Sequence, residues 1–108
     1  MLCKSFLACY NLGMLEKEIE TYLEWTVERM GGKSWKFTSP GRKGVADRIV
    51  CLPDGSTWFI ELKRPKGGVL APLQAEFRSQ MGLLKQKYAL LHTKELIDEW
   101  SKAQSISR

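Results

Sequence analysis

The chain has 108 residues, 44% of them apolar and 27% charged, with a net charge of +5. That length suits one domain with one core and is too short for two. No run approaches the roughly 18 apolar residues of a membrane span. The three cysteines (Cys3, Cys9 and Cys51) and the lone His92 form no Cys-x-x-Cys or Cys/His cluster, which argues against a zinc site or a disulfide framework and fits a reducing cytoplasm.

The opening MLCKSFLACYNLG has the outline of a secretory leader, but its apolar stretch is too short and lacks a cleavage site. Met14 followed by LEKEIE makes a more natural start, so residues 1–13 are expected to be a loosely attached extension of a domain spanning 14–104. Leu15 to Met30 reads as an amphipathic helix, with Leu15, Ile19, Leu23, Val27 and Met30 at helical spacing and Gly31-Gly32 closing it. A short strand follows at Trp35 to Thr38. Ser39-Pro-Gly-Arg-Lys-Gly is a loop rich in turn residues and positive charge. Val45 to Leu52 and Thr57 to Lys63 are strands joined by Pro53-Asp54-Gly55, where proline presets the turn and glycine supplies the left-handed residue of a three-residue hairpin loop. Pro72 can open a second helix at its first position, with Leu73, Phe77, Met81 and Leu84 as its buried stripe. Tyr88 to His92 is a buried strand, Glu95 to Ala103 a last helix, and residues 105–108 a fraying tail. The order αβββαβα is that of an α/β fold with a central sheet flanked by helices.

The charge is uneven. Between Lys33 and Lys66 stand eight basic residues against three acidic ones, so all of the excess lies there. A polyanion such as nucleic acid is the natural partner of that patch, although a solvated basic face would have the same composition. The hairpin adds chemistry. With residues 53–55 as its loop, Asp47 faces Glu61 across the two strands, and Lys63 shares the face of Glu61. Facing carboxylates repel unless a cation lies between them, and a hard cation with oxygen ligands, Mg²⁺ or Mn²⁺, suits the pair. The same residues also read as a cross-strand ion pair of Asp47 or Glu61 with Lys63 or Arg48, worth only ~0–1 kcal/mol.

The string GVAD…ELK resembles the signature of the PD-(D/E)XK nucleases. The wider SPGRKGVADRIVCLPDGSTWFIELKRP…PLQ resembles their VRR-NUC branch, in its small stand-alone phage or bacterial form, from about Glu16 to Leu91. The resemblance implies a restriction-endonuclease-like fold that hydrolyses DNA phosphodiester bonds with Mg²⁺ or Mn²⁺. It implies Asp47, Glu61 and the backbone carbonyl of Leu62 as metal ligands, Lys63 as the catalytic lysine, and Gln74 as the glutamine placed near the site. Ser39, Arg42, Lys43, Arg48, Arg64 and Lys66 become the expected nucleic-acid contacts. A homodimer acting on branched or structured DNA, in the cytoplasm of a bacterium or phage-infected host, is also implied. The family usually has proline where this chain has Ala46, and glycine where it has Gln86-Lys87.

The branch also uses an acidic residue on the first helix. At about 100° per residue, Glu16 falls inside the arc of Ile19, Leu23 and Val27 and Glu20 at its edge, while Glu24 and Glu28 rotate outward. Glu16 or Glu20 is therefore the expected catalytic carboxylate, although first-turn acids also favour a helix for dipole reasons. Trp25, Trp35, Trp58 and Trp100 are either core or base-stacking platforms. Two other classes share the composition: a nuclease-like module that binds DNA without cutting it, and a structural interaction protein without salt-sensitive DNA binding.

Overall fold

A computed structural model describes residues 16–63 and 70–106, with Glu16, Ser105 and Ile106 described in backbone only. The expectations for residues 1–13, Arg64, Lys66 and residues 107–108 lie outside those residues, while residues 105–106, expected to fray, continue the last helix. The elements follow the expected order: α1 (Glu16–Arg29), β1 (Lys33–Lys36), β2 (Arg48–Cys51), β3 (Thr57–Leu62), α2 (Pro72–Leu83), β4 (Lys87–Leu91) and α3 (Lys94–Ile106). The strands form one mixed sheet in the order β1-β2-β3-β4. The first three are antiparallel, and β4 lies parallel to β3. Helix α2 is the crossover that a parallel pair requires.

The hairpin has the register read from the sequence, since Arg48 pairs with Ile60 and Cys51 with Thr57. The loop closes by Leu52 N–H donating to the Ser56 carbonyl at 2.9 Å and Gly55 N–H to the Leu52 carbonyl at 3.0 Å. Gly55 has φ +92°, the left-handed conformation that a side chain disfavours. Asp54 holds the turn by accepting from the Ser56 N–H and hydroxyl at 2.8 and 2.6 Å.

Alternation along β3 separates the two faces of the sheet. Ile60 and Leu62 point into a dry core with Ile19, Leu23 and Val27 of α1, Val50 of β2, Leu91 of β4 and Ile97 and Trp100 of α3. Phe59 and Glu61 point the other way, toward α2. There the rings of Phe37, Phe59, Phe77 and Tyr88 form a chain of contacts 5.9–6.3 Å apart. Helix α2 has no fully buried residue. The expected stripe is therefore only half right: Phe77 and Met81 are partly covered, but Leu73 and Leu84 remain 49% and 63% exposed. The reason is packing: α1 and α3 share the opposite face, and α2 lies on its own side against β4.

The α2–β4 turn forms without a glycine at its left-handed position. Lys85 takes φ +59° itself. Its N–H donates to the Gly82 carbonyl, and Gln86 N–H donates to the Met81 carbonyl at 2.8 Å, the two bonds of a Schellman ending.

Candidate active site

Asp47 sits one residue before β2, where the hairpin register continues and sets it opposite Glu61. Its backbone carbonyl accepts from Phe37 N–H at 2.8 Å, which extends the β1–β2 pairing past its formal end. Its carboxylate turns across the hairpin, and Oδ2 accepts the Leu62 N–H at 2.9 Å. Glu61 is 1% exposed. Lys63 continues the β3–β4 pairing through its N–H to the Leu91 carbonyl at 3.3 Å. That keeps Lys63 on the face of Glu61, with its Nζ 3.8 Å from Glu61 Oε2 and its side chain 17% exposed.

Gln74 joins this cluster to the helix start. Pro72 occupies the first turn of α2. Gln74, two residues on, uses both ends of its amide: Oε1 accepts the Ala71 N–H at 2.9 Å, and Nε2 donates to Glu61 Oε2 at 2.8 Å. A capping interaction thus fixes the rotamer that holds a buried carboxylate. Asp47, Glu61, Lys63 and Gln74 come together.

Glu20 and Arg48 do not join them. Arg48 pairs with Ile60, so its side chain points to the α1 face, where it is 5% exposed. Its guanidinium meets Glu24 at 2.8 Å and Glu20 at 3.5 Å, with Ser34 Oγ at 3.4 Å. Glu20 is thus set apart from Asp47 and Glu61 by the sheet. Arg48, expected to meet DNA, ties α1 to β2 instead. The outward rotation of Glu24 underestimated its reach, because a long side chain can lie back over the strand. Glu16 opens α1, and its side chain lies outside the described residues.

Ser39, Arg42 and Lys43 lie in the loop before Asp47. The Arg42 N–H donates to the Ser39 carbonyl at 3.1 Å, and both basic side chains are exposed. Gly44 sets the loop against α2: it has φ +89°, and a Cβ there would lie 2.6 Å from the Leu73 carbonyl oxygen. The tryptophans divide. Trp58 and Trp100 meet edge to face at 5.6 Å on the core side, whereas Trp25 and Trp35 are half exposed. Trp25 carries Arg29 over its ring at 4.5 Å.

No family model matches this sequence. It is 38% identical over 81 residues to the protein titled "Putative nuclease p44" of Acyrthosiphon pisum secondary endosymbiont phage 1, a match covering 75% of this chain and 86% of that one. Its structure superimposes on a solved VRR_NUC domain with a TM-score of 0.74 and 25% identity, covering 78% of this chain and 90% of the other. The chain belongs to the VRR-NUC family of nucleases.

This VRR-NUC chain has Ala46 rather than proline before Asp47. Ala46 is fully buried, and Asp47 beside it still reaches across the hairpin to the Leu62 N–H. Tyr88 was not singled out in the sequence. Its hydroxyl is buried on the site face and finds no hydrogen-bond partner among the described residues. Burial first, and then the Glu61 charge, push its pKa up to about 12, with Asp47 adding to the rise and Arg78 opposing it. Tyr88 therefore stays a neutral donor. An alternation count from Glu61 across to β4 would have put it on this face, but only once the parallel register was known.

The donor set suits a hard cation. Asp47 Oδ1, the Glu61 carboxylate and a main-chain carbonyl such as that of Leu62 are all oxygen ligands. Among the described residues no three His, Cys, Asp or Glu side chains gather into a closed cage. Two carboxylates with the rest of the sphere left to water and substrate phosphate is the usual arrangement for Mg²⁺.

Proposed function

We propose that this chain is a Mg²⁺- or Mn²⁺-dependent endonuclease that hydrolyses phosphodiester bonds of branched or otherwise structured DNA. The observation that carries this reading is the cluster at the hairpin's end. A nearly fully buried Glu61 is held by Gln74 at 2.8 Å with Lys63 at 3.8 Å, beside Asp47. A carboxylate is costly to bury, and a surface ion pair would not need it there.

Asp47 and Glu61, with the Leu62 carbonyl, would hold the cation, which supplies charge to polarise the phosphodiester and to lower the pKa of an attacking water. Gln74 orients Glu61 and prevents it from swinging to solvent. Lys63 places a compact ammonium where negative charge grows on the phosphate, a contribution that needs no reorganisation during the reaction. Arg42 and Lys43, with Arg64 and Lys66 beyond β3, supply backbone phosphate contacts that carry affinity without sequence preference. Glu16 remains the candidate for a further carboxylate from α1. A homodimer would supply two such sites to a junction that one domain of this size could barely span. The setting is the cytoplasm of a bacterium or phage-infected host.

The test is cleavage of a four-way junction, flap, duplex and single strand with Mg²⁺, with Mn²⁺ and with chelator. Asp47→Ala should abolish metal-dependent cutting while the chain still unfolds cooperatively, losing no more than the about 1–3 kcal/mol expected for the stranded Leu62 N–H. Binding without cutting by the parent chain would favour the non-cleaving module. Unchanged cutting by Asp47→Ala would remove the assignment.

A further inference from the structure

A second feature lies beside the hairpin cluster. Gly41, Arg42, Lys43 and Val45 on one side and Leu73, Glu76, Phe77 and Gln80 of α2 on the other enclose an open cleft of about 340 Å³. Building on the nuclease reading, we propose that this cleft takes one unpaired nucleobase of the substrate strand, with the adjoining phosphate on Arg42 and Lys43.

Three observations carry it. The first is chemistry. Phosphate contacts alone need only the basic loop. Here that loop faces an apolar floor of Val45, Leu73 and Phe77, and Leu73 is left 49% exposed at the very start of α2. A flat, apolar ring face attached to an anion is complementary to both walls. The rim adds Glu76 and Gln80, one helical turn apart, with Gln80 Nε2 3.5 Å from Glu76 Oε2. An ionised carboxylate only accepts and an amide does both. This pair therefore suits the N–H-bearing edge of a base, guanine best, because its ring N–H and amino group lie side by side. In a duplex that edge is occupied by the partner strand, which is why the base must be unpaired.

The second is size. The volume lies near the lower end of single-ligand sites, which run from roughly 300 to 1,000 Å³, so it suits one nucleotide. The third is position. Leu73 precedes Gln74, whose amide holds Glu61, and Val45 lies two residues before Asp47. A base seated here would therefore belong to a nucleotide close to the bond cut. Gly44 keeps the cleft's width, since the loop is pressed to the Leu73 backbone where no side chain fits.

The experiment reads binding, not cutting. The full chain with Asp47→Asn is titrated in Ca²⁺ with DNA carrying one fluorescent guanine analogue that keeps the ring N–H and the amino group, either unpaired at a flap junction or paired within a duplex. The unpaired reporter should change its emission on binding and the paired one should not. Leu73→Ser with Gln80→Ala, both at the protein's surface or its edge, should remove that change and weaken flap binding about tenfold, the scale of one lost base stack. Duplex affinity should stay within about threefold, and far-UV circular dichroism should be unchanged. Equal responses from the two reporters, or a response that survives both substitutions, would overturn the base site, whoever else occupies the cleft. Metal-dependent cutting by the parent chain is scored separately. A silent reporter with intact cutting removes this inference alone, and a responsive reporter without cutting removes the nuclease reading alone.

Discussion

The two faces of the sheet are covered to different degrees. The face under α1 and α3 buries Ile19, Leu23, Val27, Val50, Ile60, Leu62 and Ile97 almost completely, and Arg48, its one buried charge among the described residues, is matched by Glu20 and Glu24. The face under α2 is covered by a helix with no fully buried residue. It carries a ring chain, a buried Glu61 and a buried Tyr88 hydroxyl without a partner among the described residues. Both faces hold buried polar atoms without a partner among the described residues, Thr26 Oγ1, Arg48 Nε, Trp58 Nε1 and Trp100 Nε1 on the first and the Tyr88 hydroxyl on the second. What separates the faces is cover and the kind of buried charge: two helices close the first, where Arg48 is paired with two carboxylates, and one half-covered helix lies over the second, where the buried charge is a carboxylate. The hairpin joins the two, since neighbouring residues on β3 serve opposite faces.

The sharpest way to break this comparison is to make a cavity on each side. Leu23→Ala should lower unfolding stability by about 2–5 kcal/mol. Phe77→Ala, on the half-covered face, should cost roughly half as much, because less of the ring leaves a packed environment. Urea melts of the two variants measure this, and equal losses would mean that α2 carries as much of the fold as α1.

Next is Lys63→Arg. Arginine's planar fork cannot replace a compact ammonium beside the carboxylates. Single-turnover cleavage should fall by about 10²–10³, the usual effect of one lost electrostatic contact, while DNA binding in Ca²⁺ is kept. A rate within about threefold of the parent would make Lys63 an ordinary ion-pair partner of Glu61.

A smaller effect separates the two sets of basic residues. Neutralising Arg42 and Lys43 together should flatten the dependence of DNA affinity on salt by about two units of slope. Arg48→Met should leave that slope unchanged and show itself in the melting curve alone. A slope change from Arg48→Met would return it to the DNA-facing group.

The smallest effect is a titration. Tyr88 ionises near pH 10 in the unfolded chain but is pushed up to about 12 in the fold. The folded state thus holds the phenolic proton more tightly. Its contribution is fully present below about pH 10 and is lost as pH rises to about 12. Tyr88→Phe should remove that part of the alkaline decline, followed as the urea midpoint against pH. An unchanged decline would mean that the hydroxyl is not in the low-dielectric face described above.

What the sequence determined by itself was whatever short-range rules control. Pro53-Asp54-Gly55 dictated a three-residue loop, the loop dictated the register, and the period of two placed Asp47, Glu61 and Lys63 together before any coordinate was known. The seven elements followed from apolar spacing and from Pro72 as a helix opener, and the VRR-NUC resemblance named Gln74. Tertiary structure alone decided the side of the sheet that each helix covers. The helical wheel placed Glu20 at the edge of the buried arc, but it could not reveal that α1 lies across the sheet from Glu61, where Glu20 meets Arg48. Nor could alternation within the hairpin reveal Tyr88, which depends on the parallel β3–β4 register set by the crossover. The cleft between the basic loop and α2 belongs to the same class. Its walls come from segments some thirty residues apart, pressed together at Gly44, and only packing of the whole chain fixes a contact between elements so distant in sequence.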